Sequence, residues 1–178
     1  PGFAFGGSCL PKDLRALTYK ARTLDLDLPV LNAVLPSNNS HIRTGLQLVM
    51  SFEKKRIGIL GFSFKAGTDD LRESPIVELI EQLLGKGYDL RVYDKNVRFA
   101  KLMGSNKDYL LNRIPHISEL MVDSIDDLAA HAEVIVVGNN DPDFKAAIES
   151  LSPEQKVVDL VRVGNGATAS GNYHGICW

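Results

Sequence analysis

Apolar side chains recur at helical spacing in two segments near the start of the chain. Residues 12–24 carry them at Leu14, Leu17 and Ala21. Residues 28–51 carry them at Leu31, Val34, Leu35, Ile42, Leu46 and Val49. This spacing predicts two helices. Pro36 lacks the amide hydrogen that a helix interior needs, and polar residues follow at 38–40, so we expect a kink or a break there.

From residue 54 the pattern changes to short apolar runs that alternate with helical stripes. The runs predict buried strands at 57–61, 90–94, 133–138 and 156–161. Helices are predicted at 74–84, 97–103, 125–128 and 142–150, whereas 104–122 and the tail after 164 are expected to be irregular. The alternation predicts an α/β fold with a Rossmann-like, doubly wound parallel sheet, preceded by the helical segment.

Composition narrows the class of protein. Of the 178 residues, 44% are apolar and 24% are charged, as in an ordinary globular protein. The net charge of -2 gives no reason to expect nucleic acid or a membrane surface as a partner. No apolar stretch approaches the roughly 20 residues that span a bilayer. The chain begins at Pro1 rather than Met, with a dense motif close behind, so we expect it to be part of a longer protein.

The cysteines and histidines are scattered. Cys9 and Cys177 lie at opposite ends of the chain, and we interpret both as thiols in a reducing cytoplasm. The four histidines and two cysteines do not have the spacing of zinc ligands, so no metal site is predicted.

The loop at residues 5–13, Phe-Gly-Gly-Ser-Cys-Leu-Pro-Lys-Asp, suggests nucleophilic catalysis. Cys9 precedes a predicted helix, whose positive end stabilises a thiolate, and Lys12 adds a second positive charge. Asp13 lies one helical turn from Cys9 and could orient water. The alternative is a small buried hydrophobe, the usual role of an isolated cysteine, and it stays open on these residues alone. Cys177 has no such setting.

A second polar loop, residues 64–75, follows the first predicted strand. Lys65 and Arg72 flank turn-forming residues just before a helix N-terminus, an arrangement that suits a diphosphate or another anion. The alternative is a solvated loop in which Arg72 pairs with a neighbouring carboxylate. The first strand lacks the Gly-x-Gly-x-x-Gly fingerprint of a dinucleotide site, and Asp94 stands alone as a possible ribose-binding acid.

Together, the motifs Phe-Gly-Gly-Ser-Cys-Leu-Pro-Lys-Asp and Phe-Lys-Ala-Gly-Thr-Asp-Asp-Leu-Arg-Glu-Ser-Pro closely resemble signatures of the UDP-glucose/GDP-mannose dehydrogenase family. Their order and separation match as well, and the resemblance covers nearly the whole chain. The opening Pro-Gly-Phe-Ala-Phe and the stretch Leu-Pro-Ser-Asn-Asn-Ser look most like members that act on GDP-mannose, whose product is an alginate precursor. UDP-glucose is the alternative substrate.

The resemblance implies a reaction and a set of site residues. Family members oxidise a sugar C6 alcohol to a carboxylate with NAD as cofactor, in two hydride transfers through a thiohemiacetal and a thioester on the cysteine. The matching catalytic residues are Cys9 and Asp13. The matching substrate-binding residues are Phe3, Gly6 and Lys65. The matching cofactor-binding residues are Lys12 and Arg72.

The resemblance also implies an organisation. We predict a cysteine loop and helical dimerisation segment at residues 1–53, and a nucleotide-sugar-binding Rossmann-like domain at 54–178. A homodimer or a higher homo-oligomer is expected. The N-terminal NAD domain of the family is not in this sequence, so the isolated chain is expected to be inactive. It could instead act as a non-catalytic nucleotide-sugar-binding or oligomerisation module.

Overall fold

The computed structural model describes residues 3–97, 104–163 and 171–176. The chain begins with the cysteine loop and two long helices, α1 (Leu10–Thr23) and α2 (Pro29–Met50). Both helices have proline in their first turn, where the missing amide hydrogen costs no hydrogen bond. The two predicted N-terminal helices are therefore confirmed.

A five-stranded parallel sheet forms the centre of the remaining chain. Its strands are β1 (Arg56–Leu60), β2 (Asp89–Tyr93), β3 (Val134–Val137), β4 (Lys156–Asp159) and β5 (Tyr173–Gly175). Their order across the sheet is β2-β1-β3-β4-β5, and every neighbouring pair is parallel. The strand order reverses between β1 and β3, which is where open α/β sheets bind ligands at the carboxyl ends of their strands.

Helices cover both faces of the sheet, as a doubly wound fold requires. They are α3 (Pro75–Gly85), α4 (Gly104–Arg113), α5 (Ile117–Leu120), α6 (Ile125–His131) and α7 (Pro142–Glu149). Successive strand side chains point to opposite faces, so Ile57 and Ile59 join the core cluster that contains α3 and the end of α2. Leu60 joins the second cluster, which includes Phe144 of α7. The predicted α/β class is confirmed.

Residue 58, between those two isoleucines, shows how closely one helix approaches the sheet. A β-carbon on Gly58 would lie 2.3 Å from the Leu128 side chain of α6. Glycine is therefore required there by packing, and α6 can lie directly on β1.

Two local predictions were wrong, and one of the two alternatives expected at Pro36, the break, does not occur. Helix α2 runs unbroken through Pro36, and Asn38 does not interrupt it because its amide group bonds to Phe5 rather than to its own helix. Residues 104–122 contain α4 and α5, whose few apolar side chains include the fully buried Leu110 and Ile117. The tail contains β5, a three-residue strand that gains its structure from pairing with β4.

Two other predictions are not decided by the structure. The helix expected at 97–103 falls almost entirely outside the described residues. The division of the chain near residue 54, with a dimerisation role for the first part, stays a prediction.

Candidate functional site

Cys9 is the N-cap residue of α1, and it is exposed. The Asp13 amide donates a 2.9 Å hydrogen bond to the Cys9 carbonyl, which places the two side chains one turn apart. Lys12 Nζ lies 3.4 Å from Asp13 Oδ1, and both side chains are largely in solvent. The Cys9 thiol is thus exposed at the start of the helix whose first turn carries Lys12 and Asp13.

The segment before Cys9 is held on the surface of α2. Phe3 is only 5% exposed, and its ring fits against Gly45, where a β-carbon would lie 2.7 Å from Phe3 Cε2. Asn38 Oδ1 accepts a 2.9 Å hydrogen bond from the Phe5 amide, and Asn38 Nδ2 donates a 3.0 Å bond to the Phe5 carbonyl. Helix α2 therefore fixes the path of the loop towards Cys9.

The glycines of the loop let it dock on the second polar loop. The Gly7 amide donates a 3.0 Å hydrogen bond to the Arg72 carbonyl. A β-carbon on Gly6 would lie 2.0 Å from the Glu73 carbonyl oxygen, so no other residue fits there without displacing backbone. Gly7 has a φ of +84° and lies against the Phe64 ring. The two motifs that were separate in sequence thus form one continuous surface.

A two-point ion pair reinforces this docking. Arg15 of α1 donates hydrogen bonds of 2.8 Å and 2.9 Å to the two carboxylate oxygens of Glu73. The Arg15 hydrogen bond lowers the pKa of Glu73, and the same bond raises the pKa of Arg15. Glu73 has a φ of +53°, a left-handed conformation that costs a non-glycine residue about 1 kcal/mol.

The Arg72 side chain is held by a carboxylate of its own loop. Its guanidinium donates to both carboxylate oxygens of Asp70, at 2.9 Å and 2.8 Å, as the solvated-loop alternative predicted. That hydrogen bond is the main reason why the pKa of Arg72 is raised, and a negative charge on Cys9 adds to the rise. Arg72 thus lies within electrostatic reach of the thiol, while Lys65 extends from the exposed part of the loop.

Asn106 of α4 secures the backbone of the same loop. Its Oδ1 accepts a 2.9 Å hydrogen bond from the Leu71 amide, and its Nδ2 donates to the Asp69 carbonyl. Asn106 therefore fixes the backbone of the second loop from the side of α4.

Asp94 does not act as a ribose-binding acid. It is 5% exposed, and its Oδ2 accepts hydrogen bonds from the Phe62 amide and from the amide and hydroxyl of Ser63. Asn139 Nδ2 donates to the same oxygen at 3.3 Å and covers Gly61. The Asp94 carboxylate is therefore committed to internal hydrogen bonds and is not free to bind a ribose hydroxyl.

Sequence reasoning missed four residues that position the site: Arg15, Asn38, Glu73 and Asn106. Asn38 had a detectable signal, because polar residues interrupt an otherwise apolar helix there. Asn38, His41 and Gly45 also share one helical face, which is the face that receives residues 3–5. Arg15, Glu73 and Asn106 gave no signal, because surface polar residues are common and their partners are far away in sequence.

Within the described ranges, no group of three or more His, Cys, Asp and Glu side chains is arranged to hold a metal ion. A search of the same residues finds no helix with the length and apolar character to cross a membrane.

Comparison with known families gives two matches. The UDP binding domain of the UDP-glucose/GDP-mannose dehydrogenase family matches residues 58–165, and the central domain of that family matches residues 1–40.

Individual proteins match over most or all of the chain. The GDP-mannose 6-dehydrogenase of Pseudomonas syringae pv. tomato is 49% identical, over 100% of this chain and 41% of the relative. The UDP-glucose 6-dehydrogenase of Rickettsia felis is 30% identical, over 81% of this chain and 31% of the relative. The chain thus spans about two-fifths of the length of the GDP-mannose 6-dehydrogenases that it matches.

Two solved structures of dehydrogenases superpose closely on this chain. A GDP-mannose dehydrogenase of Pseudomonas aeruginosa, determined as a ternary complex, superposes with a TM-score of 0.91 at 48% identity and covers 100% of this chain and 41% of its own. A UDP-glucose dehydrogenase of Pyrobaculum islandicum gives a TM-score of 0.79 at 29% identity, over 99% of this chain and 39% of its own.

Proposed function

Because the chain belongs to the UDP-glucose/GDP-mannose dehydrogenase family, we propose that it forms the C-terminal part of an NAD-dependent enzyme that oxidises GDP-mannose to GDP-mannuronate. The observation that carries this proposal is the docking of the cysteine loop on the Lys65–Arg72 loop through Gly6 and Gly7. That docking joins the loop that carries the exposed Cys9 to the loop that carries Lys65 and Arg72, whose positive charges suit a nucleotide sugar.

The proposed reaction removes two hydrides from C6 of the sugar. The first oxidation converts the alcohol to an aldehyde and releases one proton. The Cys9 thiolate then adds to the aldehyde carbon, and the oxygen takes up a proton to give a thiohemiacetal. Loss of the second hydride and of the hydroxyl proton gives a thioester. Water cleaves the carbon–sulfur bond, which releases the carboxylate and restores the thiol.

Each predicted site residue has a proposed role in this sequence of steps. Asp13, one turn from Cys9, orients the water that cleaves the thioester. Lys65 reaches the nucleotide sugar from the exposed part of its loop. The buried Phe3 and the tightly packed Gly6 shape the loop that the substrate contacts.

The cofactor is proposed to bind chiefly outside these residues. NAD accepts the two hydrides, and in this chain Lys12 and Arg72 are placed to approach it from the cysteine side. The internal hydrogen bonds of Asp94, together with the lack of a Gly-x-Gly-x-x-Gly sequence after β1, support a dinucleotide site on another domain of the full-length protein. We therefore propose that the chain by itself turns over no substrate.

We propose GDP-mannose rather than UDP-glucose as the substrate, because the chain is more similar in sequence to the enzymes that are named for GDP-mannose. Identity is 49% to a GDP-mannose 6-dehydrogenase and 30% to a UDP-glucose 6-dehydrogenase. The product then serves alginate synthesis, and the enzyme acts in the cytoplasm.

Self-association is proposed for the helical segment. Exposed apolar side chains are concentrated in α1, the turn after it and the start of α2, at Leu10, Leu17, Tyr19, Leu24, Leu26 and Val30. Val30 is 78% exposed. An apolar surface of this kind favours a homodimer or a higher homo-oligomer.

The test uses the full-length enzyme with Cys9→Ser, and Cys177→Ser as the matched control. We expect Cys9→Ser to abolish acid formation, because a serine hydroxyl is a far weaker nucleophile than a thiolate at neutral pH, and Cys177→Ser to keep it. Normal acid formation by Cys9→Ser contradicts the covalent scheme. Comparing kcat/KM for GDP-mannose with that for UDP-glucose decides the substrate.

The binding-module alternative has its own test, in which the 178-residue chain is titrated with GDP-mannose in a calorimeter. Heat of binding or a raised melting temperature supports a preformed nucleotide-sugar site. The absence of both contradicts it.

A further inference from the structure

The Arg15–Glu73 pair joins the helix that carries Cys9 to the loop that carries Arg72. Arg15 lies in the second turn of α1, and Glu73 directly follows Arg72, so the pair spans the junction of the two motifs. Both charged groups are about half exposed, and ion pairs that are so exposed add little to folding stability. The two-point geometry, however, restricts how α1 can rotate or slide against the loop.

The backbone at Glu73 supports a role in positioning. Its left-handed φ of +53° is uncommon for a residue with a side chain, and such conformations persist only where surrounding contacts hold them. Those contacts include the Gly6 backbone, which packs against the Glu73 carbonyl, and the Arg15 guanidinium, which holds the Glu73 carboxylate. The backbone of Glu73 thus contacts the cysteine loop, and the side chain of Glu73 holds α1.

The far side of the loop is fixed by contacts of its own, so the Arg15–Glu73 pair bears on the junction between the loop and α1. Asn106 holds the backbone at Asp69 and Leu71, and Asp70 holds the Arg72 amide and guanidinium. Without the Arg15–Glu73 pair, the backbone hydrogen bond between Gly7 and Arg72 remains, but α1 loses its ion pair with the loop.

We propose that Arg15 and Glu73 are a positioning pair that sets the place of the Cys9 sulfur relative to the Lys65–Arg72 loop, and that they act on the capture of the aldehyde rather than on substrate binding. The inference rests on the proposed function, since it assigns the pair to the cysteine step of that reaction. Neither side chain touches Cys9. A thiol out of place adds more slowly to the aldehyde carbon, so the aldehyde leaves before its second oxidation.

The experiment measures the full-length enzyme with Arg15→Met, Glu73→Gln and the double variant. Glu133→Gln is the matched control, because Glu133 also pairs with an arginine, Arg56 Nε at 3.5 Å, but at the amino-terminal edge of the sheet. The readouts are kcat, the KM for GDP-mannose, the NADH formed per acid formed, and aldehyde trapped by a hydrazine.

We expect each single variant to lower kcat about ten-fold, because small misplacements of reacting groups have effects of this order or larger. The KM should stay within about two-fold, since binding groups are untouched. The ratio of NADH to acid should exceed the two hydrides per acid of the complete reaction, with trapped aldehyde accounting for the excess. The double variant should be no worse than either single variant, because both remove the same interaction.

Two results would overturn the inference: kcat and a NADH-to-acid ratio equal to those of Glu133→Gln, or a double variant whose loss is the product of the single losses. If Arg15→Met does not fold, Arg15→Lys keeps the charge but loses the two-point geometry, and unchanged kcat and ratio there overturn the inference equally. A wild-type enzyme that oxidises no nucleotide sugar fails the proposed function instead, and the two failures are thereby distinct.

Discussion

Gly6→Ala is the sharpest structural test of how the two motifs dock. The new β-carbon would lie 2.0 Å from the Glu73 carbonyl oxygen and 2.9 Å from Pro75 Cδ. Ordinary contact begins at 3.4 Å, so the cysteine loop and the Glu73 backbone must separate by about 1.4 Å. Neither side can move easily, because Asn38 holds the cysteine loop and the partner atom belongs to the backbone.

Overpacking of this kind costs about 2 kcal/mol of unfolding free energy. For a chain of this size that corresponds to a fall in Tm of about 6 °C. A displacement of more than 1 Å beside the nucleophile should lower kcat about 100-fold. The assay is thermal unfolding together with steady-state oxidation of GDP-mannose by the full-length enzyme.

Gly85→Ala is the matched control. A β-carbon on Gly85 meets no atom within 4 Å, and Gly85 is the last residue of α3, so alanine should leave kcat unchanged and the Tm equal or slightly higher. If Gly6→Ala has the same Tm and the same kcat as the wild type, the tight docking of the loops is refuted. A lowered Tm with normal kcat would show that the docking supports the fold but not the chemistry.

Two further predictions concern buried and paired carboxylates. Asp94→Ala should lower the unfolding free energy by about 3 kcal/mol in chemical denaturation, because the buried amide and hydroxyl donors of residues 62–63 lose their acceptor. The exposed Asp89→Ala is the control, and an equal effect of both contradicts the structural role of the buried Asp94 hydrogen bonds. Asp70→Asn should lower the Tm more at pH 6 than at pH 3, because the Arg72 hydrogen bond lowers the pKa of Asp70 below its ordinary 3.8. That stabilisation is fully present above the ordinary value and is lost as the pH falls through the folded-state pKa, so a Tm difference that does not shrink between pH 6 and pH 3 contradicts it.

The local sequence predicted the elements with strong internal patterns. The runs at β1 and β3 are uniformly apolar because those strands are buried on both faces, and a continuous run is sufficient to identify them. Proline at the helix starts and the periodic stripe of α3 located the helices for similarly local reasons. The polar α4 and the three-residue β5 were missed because their structure depends on packing and pairing with distant residues.

The candidate site divides in the same way. The sequence by itself determined the two motifs, the cysteine at a helix start and the cations of the second loop, because each lies within a dozen consecutive residues. Only the tertiary structure decided how they meet: Asn38 reaches Phe5 across 33 residues, and Arg15 reaches Glu73 across 58. No periodicity encodes such pairs, since the distance between them is set by the fold rather than by the chain. The fold also decided that Asp94 serves as an internal hydrogen-bond acceptor, because the donors that surround it converge only when the strands pair.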